Sequence, residues 1–468
     1  MTLLDADINE DGIVDMADLG IVASAYGTKE GDERYNPIAD LDNNKRINVV
    51  DIAIVVVDFG KTFSTYKLYG LDFGPYTEPG QDPNKRYVVS EEQVRARMET
   101  VAPYTEWVRT FGCTLGMEKA GSIARDLDLK IAVGAWLDKD LSTNEQEISN
   151  LISIAHAGEA DLLIVGNEVL LRQDLTEEKL IDYINRVKEA APSIPVATAD
   201  IYGELLEHPA VMNTCDIIIP NYYPFWEGID LYDAIYILNL RHQQVVEKAG
   251  DKPIIIGETG WPSEGEPIED GMPSPENASF YFLNFISWAR ANNISYFYFE
   301  AFDEPWKADY EGERGAHWGI WFSNSTLKPG MQDVFDNETM PDNWSVIDVP
   351  GGLGEPTINF AYVPPYGSFE NLEGQVLHVS PYEYRVAVLI RVGKGWWTKP
   401  YWNNPLTTIM RDGSWVCDIT TGGKDEQAVE IIAFLVIAEY NPPLMDGDTT
   451  LPEELYENSF AIAEVTRE

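Results

Sequence analysis

Cysteine, histidine and positive charge are all scarce in this 468-residue chain, which has three cysteines (Cys113, Cys215 and Cys417) and five histidines. An odd, widely spaced set of cysteines closes at most one bridge, so no disulfide framework is implied. Histidines without paired spacing argue against a catalytic zinc site. Apolar runs stop short of the ~20 residues that a spanning helix needs, so no membrane span is expected. Only 33 Lys and Arg stand against 78 Asp and Glu, a formal net charge of -45. Such a field repels nucleic acid and anionic membranes and favours a neutral ligand. Met1 to Asp5 lead straight into a polar loop with no secretory signal peptide, which a mature or recombinant start would explain.

Two runs stand out among what is present. Leu162 to Val169 and Ile254 to Ser263 are both apolar strand patterns that end on a glutamate, Glu168 and Glu258. Further apolar runs lie near residues 70, 108, 133, 197, 219 and 299, with charged, helix-period stretches between them. In the stretch 177–189, Thr176 stands where an N-cap would. Eight strand candidates over roughly 270 residues fit a closed (β/α)8 barrel, typically ~250 residues long. No glycine-rich phosphate loop follows the first strand, as a doubly wound sheet would more often bring. In a parallel barrel, chemistry sits where strands empty into their C-terminal loops, so Glu168 and Glu258 should face one mouth. Two carboxylates facing each other there suggest glycoside hydrolysis.

The motifs Gly166–Asn167–Glu168, Glu258–Ser263 and Phe299–Lys307, in that order at strands four, seven and eight, resemble glycoside hydrolase family 17. The resemblance runs from Gly70 to Trp321. It implies a retaining (β/α)8 enzyme acting mainly on β-1,3-glucans. It also implies Glu168 as general acid/base, Glu258 as nucleophile, and Glu304, Lys307 and Glu313 as a supporting polar cluster. Tyr76 and Asn167 match substrate-side positions. Aromatic residues crowd the same loops: Tyr76, Trp136, Tyr222, Tyr223, Trp226, Trp261, Phe302, Trp306, Trp318 and Trp321. About half should touch a sugar, with Tyr223, Trp261 and Phe302 favoured because they lie nearest strand ends.

The first 62 residues read as a separate module. Asp7, Asn9, Asp11, Asp15 and Asp18 occupy positions 1, 3, 5, 9 and 12 of a calcium loop, with Ile13 at position 7 and Gly12 at the sharp turn. Asp40, Asp42, Asn44, Arg46, Asn48 and Asp51 repeat that spacing, with Lys45 in place of glycine. Each loop runs into an apolar helix, near Met16–Tyr26 and Val49–Phe59. The duplicated loop-helix unit resembles a dockerin. That resemblance implies two Ca2+ sites and a cohesin-bearing scaffold protein as partner, contacted through Met16 and Ala17 or Val49 and Val50.

Past about Val346, short alternating runs separated by Gly, Pro and Asn read as an all-β sandwich. The expected organisation is therefore multidomain: a small α-helical calcium module (1–62), a (β/α)8 TIM barrel (66–345) and a C-terminal β-sandwich accessory domain (346–468). The expected function is a retaining, endo-acting hydrolase of β-1,3-glucan polysaccharide or oligosaccharide, with no cofactor for catalysis. Its expected location is extracellular, secreted or scaffold-attached. Two alternatives use the same groove, a β-1,3-glucanosyltransferase and a non-catalytic glycan-binding scaffold component.

Overall fold

The computed structural model describes residues 6–9, 14–60, 66–341, 349–352 and 354–467. The junctions expected at 62–66 and at 345–346 fall largely outside the described residues, as do the loop residues Asp11, Gly12 and Ile13.

Near the N-terminus, helix α1 (Met16–Ala25) is capped by Asp15 and α2 (Val49–Asp58) by Asn48. In both, the third helical residue, Asp18 or Asp51, accepts the cap's own backbone N–H, which closes a reciprocal capping box. Ala6, Val14, Val22, Ala25, Ala39, Ile47 and Val55 form a small apolar core of their own.

The central region alternates strand and helix. Its elements are β1 (Leu68–Asp72), α3 (Glu91–Val101), β2 (Thr105–Arg109), α4 (Ala120–Asp126), β3 (Lys130–Ala135), α5 (Leu141–His156), β4 (Leu162–Asn167) and α6 (Glu177–Ala190). They continue with β5 (Val196–Ile201), α7 (Tyr202–Glu207), α8 (Pro209–Thr214), β6 (Ile219–Asn221), α9 (Ala234–Ala249), β7 (Ile255–Ile256), α10 (Pro275–Asn292) and β8 (Ser295–Tyr296). Thr176 caps α6 by accepting the Lys179 N–H at 3.3 Å, and Leu180, Tyr183, Ile184 and Val187 form the buried stripe of that helix. Burying each such side chain contributes about 1.5–3 kcal/mol.

Strands β1 to β6 form one parallel sheet in chain order, curled with helices around it in a TIM-like arrangement. β7 and β8 pair with each other as a short separate sheet. Isolated parallel bridges join β6 to β7 (Ile218 to Ile254, Asn221 to Glu258) and β8 to β1 (Leu71 to Tyr298). The expected strands seven and eight are thus present but shortened. Beyond Ile256 and Tyr296 the chain keeps single hydrogen bonds to its neighbours, such as Phe299 N–H to the Thr259 carbonyl at 2.9 Å.

The C-terminal region is all β. β9 (Thr357–Tyr362), β10 (Leu372–Leu377) and β13 (Ser414–Cys417) make a three-stranded sheet. β11 (Tyr384–Val392), β12 (Gly395–Lys399), β14 (Glu430–Ile437), β15 (Asp446–Asp448) and β16 (Ala461–Thr466) make a five-stranded one. Val386, Val388, Ile390, Trp415, Ile431, Ala433 and Leu435 pack in a shared core. The region does not stand apart from the barrel. Tyr382 belongs to the barrel's core, and its hydroxyl accepts from Asp230 N–H and donates to Asp233, both at 3.1 Å. Arg411 pairs with Asp233 at 2.9 Å. All three cysteines are free and buried. Among the described residues no helix is long and apolar enough to cross a membrane.

Candidate active site

Local backbone geometry aims Glu168. The β4–β5 register shifts between Ile164 and Asn167, and Gly166 and Glu168 take positive φ values of 81° and 50°. A bulge of this kind re-aims a side chain, and a non-glycine residue in the left-handed region costs about 1–3 kcal/mol unless its surroundings enforce it. Here they do, because Glu168 N–H donates to the Ala199 carbonyl at 2.8 Å and its own carbonyl accepts from Arg172 at 3.0 Å.

Glu168 and Glu258 line one cavity of about 870 Å3, with Asn167, Asn221, Tyr223 and Phe299 between and around them. Their environments differ. Glu258 accepts the Tyr223 hydroxyl at 2.6 Å and Arg109 at 3.1 Å. Glu168 accepts one neutral donor, the Asn221 amide, at 2.9 Å. Burial and then the neighbouring Glu258 charge push the Glu168 pKa up to about 8. Its carboxyl therefore carries a proton at neutral pH.

Arg109, fully buried on β2, organises the floor. It donates to Asp72 at 2.9 Å, to Glu258, to the Gly257 carbonyl at 2.8 Å and to Asn167 Oδ1 at 2.8 Å. Burial opposes its charge, but Asp72 and Glu258 outweigh burial and raise its pKa. A second cluster lies on the segment that follows β8. Lys307 Nζ lies 2.6 and 2.5 Å from the Glu300 oxygens and 3.1 Å from Glu304. Glu304 also accepts the Tyr76 backbone N–H at 3.1 Å. A Cβ at Gly74 would fall 2.2 Å from Glu304 Oε1, so only glycine lets the β1 loop approach this carboxylate.

The expected site residues divide. Tyr76, Asn167, Tyr223, Glu304 and Lys307 line the cavity together with the two glutamates. Trp261, Phe302 and Glu313 do not. Trp261 is buried against Phe225 and Tyr281, and its indole N–H donates to the Met272 carbonyl at 2.9 Å. Phe302 is buried between Phe73 and Trp321. Both side chains turn back into the packing layer, so closeness to a strand end did not decide their direction. Glu313 lies at the surface, 3.3 Å from His317, outside the Glu300–Lys307–Glu304 cluster. Of the other aromatics, Trp136, Trp226, Trp306 and Trp318 line the cavity, whereas Tyr222 and Trp321 do not. Arg109, Asp72, Asn221 and Glu300 were not anticipated. The available signal was Arg109 standing at the C-terminal end of the second strand pattern, after Trp107 and Val108.

In the second N-terminal loop, the carboxylates of Asp40, Asp42 and Asp51 each offer an oxygen within 4.8 Å of the others. Asp51 accepts the N–H groups of Leu41 at 2.8 Å and Asn48 at 2.8 Å. Asp18 does the same in the first loop, from Ile8 at 2.7 Å and Asp15 at 2.9 Å. Asn44 donates to Asp42 at 2.7 Å, and the Arg46 carbonyl accepts from Asn48 at 3.3 Å. Lys45 takes φ of 68°, the left-handed turn that glycine would occupy without strain. Three converging, oxygen-only side chains suit a hard cation.

A buried carboxyl pair, one protonated and one held by cationic and hydroxyl donors, at the C-terminal mouth of a TIM-like sheet defines a glycoside hydrolase. The chain belongs to the BtgE/BtgC glycoside hydrolase domain family, whose model matches residues 70–319. It is 30% identical to a glucan 1,3-beta-glucosidase of Candida albicans, over 47% of this chain and 79% of that protein. It is 27% identical to the glucan endo-1,3-beta-glucosidase of Emericella nidulans, over 56% of this chain but only 45% of that protein. Among solved structures, it is similar to the glycoside hydrolase family 17 β-1,3-glucanosyltransferase of Rhizomucor miehei. That match has 33% identity and a TM-score of 0.51, and covers 56% of this chain and 96% of that one.

Proposed function

We propose that the chain is a retaining, endo-acting hydrolase of β-1,3-glucan that works by double displacement, with Glu258 as nucleophile and Glu168 as general acid/base. The observation that carries this reading is the asymmetry of the two carboxyls: Arg109 and Tyr223 hold Glu258, whereas burial and the Glu258 charge keep Glu168 protonated. In the first step a Glu258 oxygen bonds the anomeric carbon while Glu168 gives its proton to the departing glycosidic oxygen. Forming the glycosyl ester removes the Glu258 charge, which lowers the Glu168 pKa. Glu168, now ionised, takes a proton from water as the water oxygen displaces Glu258 from the anomeric carbon. Asn167 has its Oδ1 occupied by Arg109, so its amide N–H groups remain to donate to the sugar 2-hydroxyl, a contact that strengthens toward the transition state. Tyr76, Trp136, Trp226 and Trp318 offer aromatic faces to sugar rings, and Lys307 and Glu304 offer polar contacts.

The names of the Candida and Emericella relatives support the substrate class. Transfer to a second sugar instead of water is the other reading, favoured by the likeness to the Rhizomucor glucanosyltransferase. Digesting a linear β-1,3-glucan and resolving product lengths and anomers separates the two. Short products of retained configuration support hydrolysis, products longer than the starting chain support transfer, and inverted products reject double displacement.

The N-terminal module (1–62) fits two calcium ions. Asp7, Asn9, Asp11, Ile13, Asp15 and Asp18 would hold one, and Asp40, Asp42, Asn44, Arg46, Asn48 and Asp51 the other. The module would attach the barrel (66–345) and the β region (346–468) to a cohesin-bearing scaffold outside the cell, where polymeric glucan is met. Its support is the repeated capping geometry and the exposure of Met16, Ala17, Val49 and Val50 at equivalent helix starts. Two like faces allow either of two binding orientations. Replacing one pair with charged residues should leave cohesin binding nearly intact in titration calorimetry, and replacing both should abolish it. Full binding with both replaced would place the contact elsewhere.

A further inference from the structure

The C-terminal region carries a second cavity, of about 480 Å3, lined by Trp397, Lys399, Pro400, Tyr401, Trp402 and the 421–425 loop. Its volume falls within the range of ligand-binding clefts, about 300–1,000 Å3. Trp397 is half-buried in one wall, while Tyr401 and Trp402 are 52% and 49% exposed. These two sit at a tight turn, in which Asn404 N–H donates to the Tyr401 carbonyl at 3.2 Å. Turn tips ordinarily carry small polar residues, because large rings there gain little by burial. Packing does not account for both rings.

The floor is polar and firmly built. Lys399 and Asp425 are buried and ion-paired, and Lys399 also donates to Thr421 Oγ1 at 3.1 Å. Thr421 donates to the Pro400 carbonyl at 2.6 Å, and Gly422 N–H donates to Asp425 at 2.8 Å, which ties the 421–425 loop to the end of β12. A purely apolar ligand would gain nothing from a buried ion pair with the Thr421 hydroxyl beside it. Sugar rings match both features, with C–H faces for the aromatics and hydroxyls for the polar floor.

We propose that this cavity is a second glycan-binding site, separate from the catalytic one, which holds a neutral β-linked polysaccharide while the barrel cleaves it. That the polymer is β-1,3-glucan rests on the proposed function; that the ligand is a neutral glycan rests on the cavity itself.

The test uses the full chain in a Glu258→Gln background, so that polymer is not consumed. Partition is measured onto insoluble β-1,3-glucan, cellulose and chitin for that protein and for versions also carrying Trp402→Ala, Tyr401→Ala or both. Replacing both rings should weaken partition onto at least one of these polymers roughly tenfold. With Glu258 restored, the same double replacement should change kcat/KM on a short soluble oligosaccharide less than about twofold, since the catalytic cavity is untouched. Unchanged partition of the double variant would overturn the inference. So would a Lys424→Glu substitution that alone weakens binding while the aromatic variants bind normally, because the site would then select negative charge. Absence of turnover of β-1,3-glucan by the unmodified chain would instead reject the proposed function, and it would leave the partition comparison readable on the other polymers.

Discussion

The catalytic mouth and the N-terminal loops both gather carboxylates, and they hold them in opposite ways. In and beneath the mouth, several acids meet protein cations: Glu258 and Asp72 share Arg109, and Glu300 and Glu304 share Lys307. Glu168 has no such ion pair among the described residues, and burial with the neighbouring Glu258 charge pushes its pKa up to about 8. In the second loop, Asp40, Asp42 and Asp51 converge with backbone N–H groups, the Asn44 amide and the Tyr35 hydroxyl as partners, and with no lysine or arginine bridging them among the described residues. A burial-compensated network works without an ion. A cluster without cationic partners would gain stability from a bound cation, which the proposed calcium ion would supply.

The largest effect expected from breaking this contrast comes at Glu258. Glu258→Gln should lower turnover roughly a thousandfold or more, since an amide cannot form the glycosyl ester, while circular dichroism and glycan binding stay as in the parent chain. Glu168→Gln should cost about 10²–10⁴-fold. On substrates with activated leaving groups, added azide should restore part of that loss and yield a glycosyl azide of retained configuration.

The same substitution should stabilise the protein at neutral pH. The Glu168 pKa lies near 4.5 when unshifted and near 8 in the fold. The contribution of this group is therefore greatest below pH 4.5 and falls as pH rises toward 8. Melting of Glu168→Gln should match the parent below pH 4.5 and exceed it at pH 7, by roughly 1–3 kcal/mol.

Chelation probes the other region. Removing calcium should lower the melting transition of the N-terminal module by on the order of 10 °C, and glucan turnover should barely change. An unmoved transition in calorimetry would count against structural ions there. The smallest effect expected is at Asp200, whose charge adds to the upward push on Glu168. Asp200→Asn should move the basic limb of the kcat/KM–pH profile, expected near pH 8, downward by a fraction of a unit.

Sequence pattern reached the strands and the two glutamates because both follow from periodicity: an apolar run must end, and in a parallel sheet it ends at the mouth. The start of α6 and both N-terminal helices were legible for a similar reason, since caps such as Thr176, Asp15 and Asn48 are local chemistry. Trp261 and Phe302 went astray because a ring beyond a strand end follows the loop's path, which long-range packing against Tyr281 and Phe73 decides. Glu313 was misplaced for want of the short helices at 305–316, which carry it to the surface and leave Glu300 to meet Lys307. Arg109 reaches across to Asn167 and Glu258, residues 58 and 149 positions away, and no local pattern encodes such a reach.

The division of labour between the two glutamates is tested most directly by trapping the intermediate. A 2-fluoro-substituted glucosyl donor with a good leaving group slows breakdown of the glycosyl ester, and peptide mapping by mass spectrometry then locates the sugar. The adduct should lie on the peptide carrying Glu258 and be absent from Glu258→Gln. An adduct on Glu168 or Glu304, or turnover to inverted product with no adduct, would contradict it.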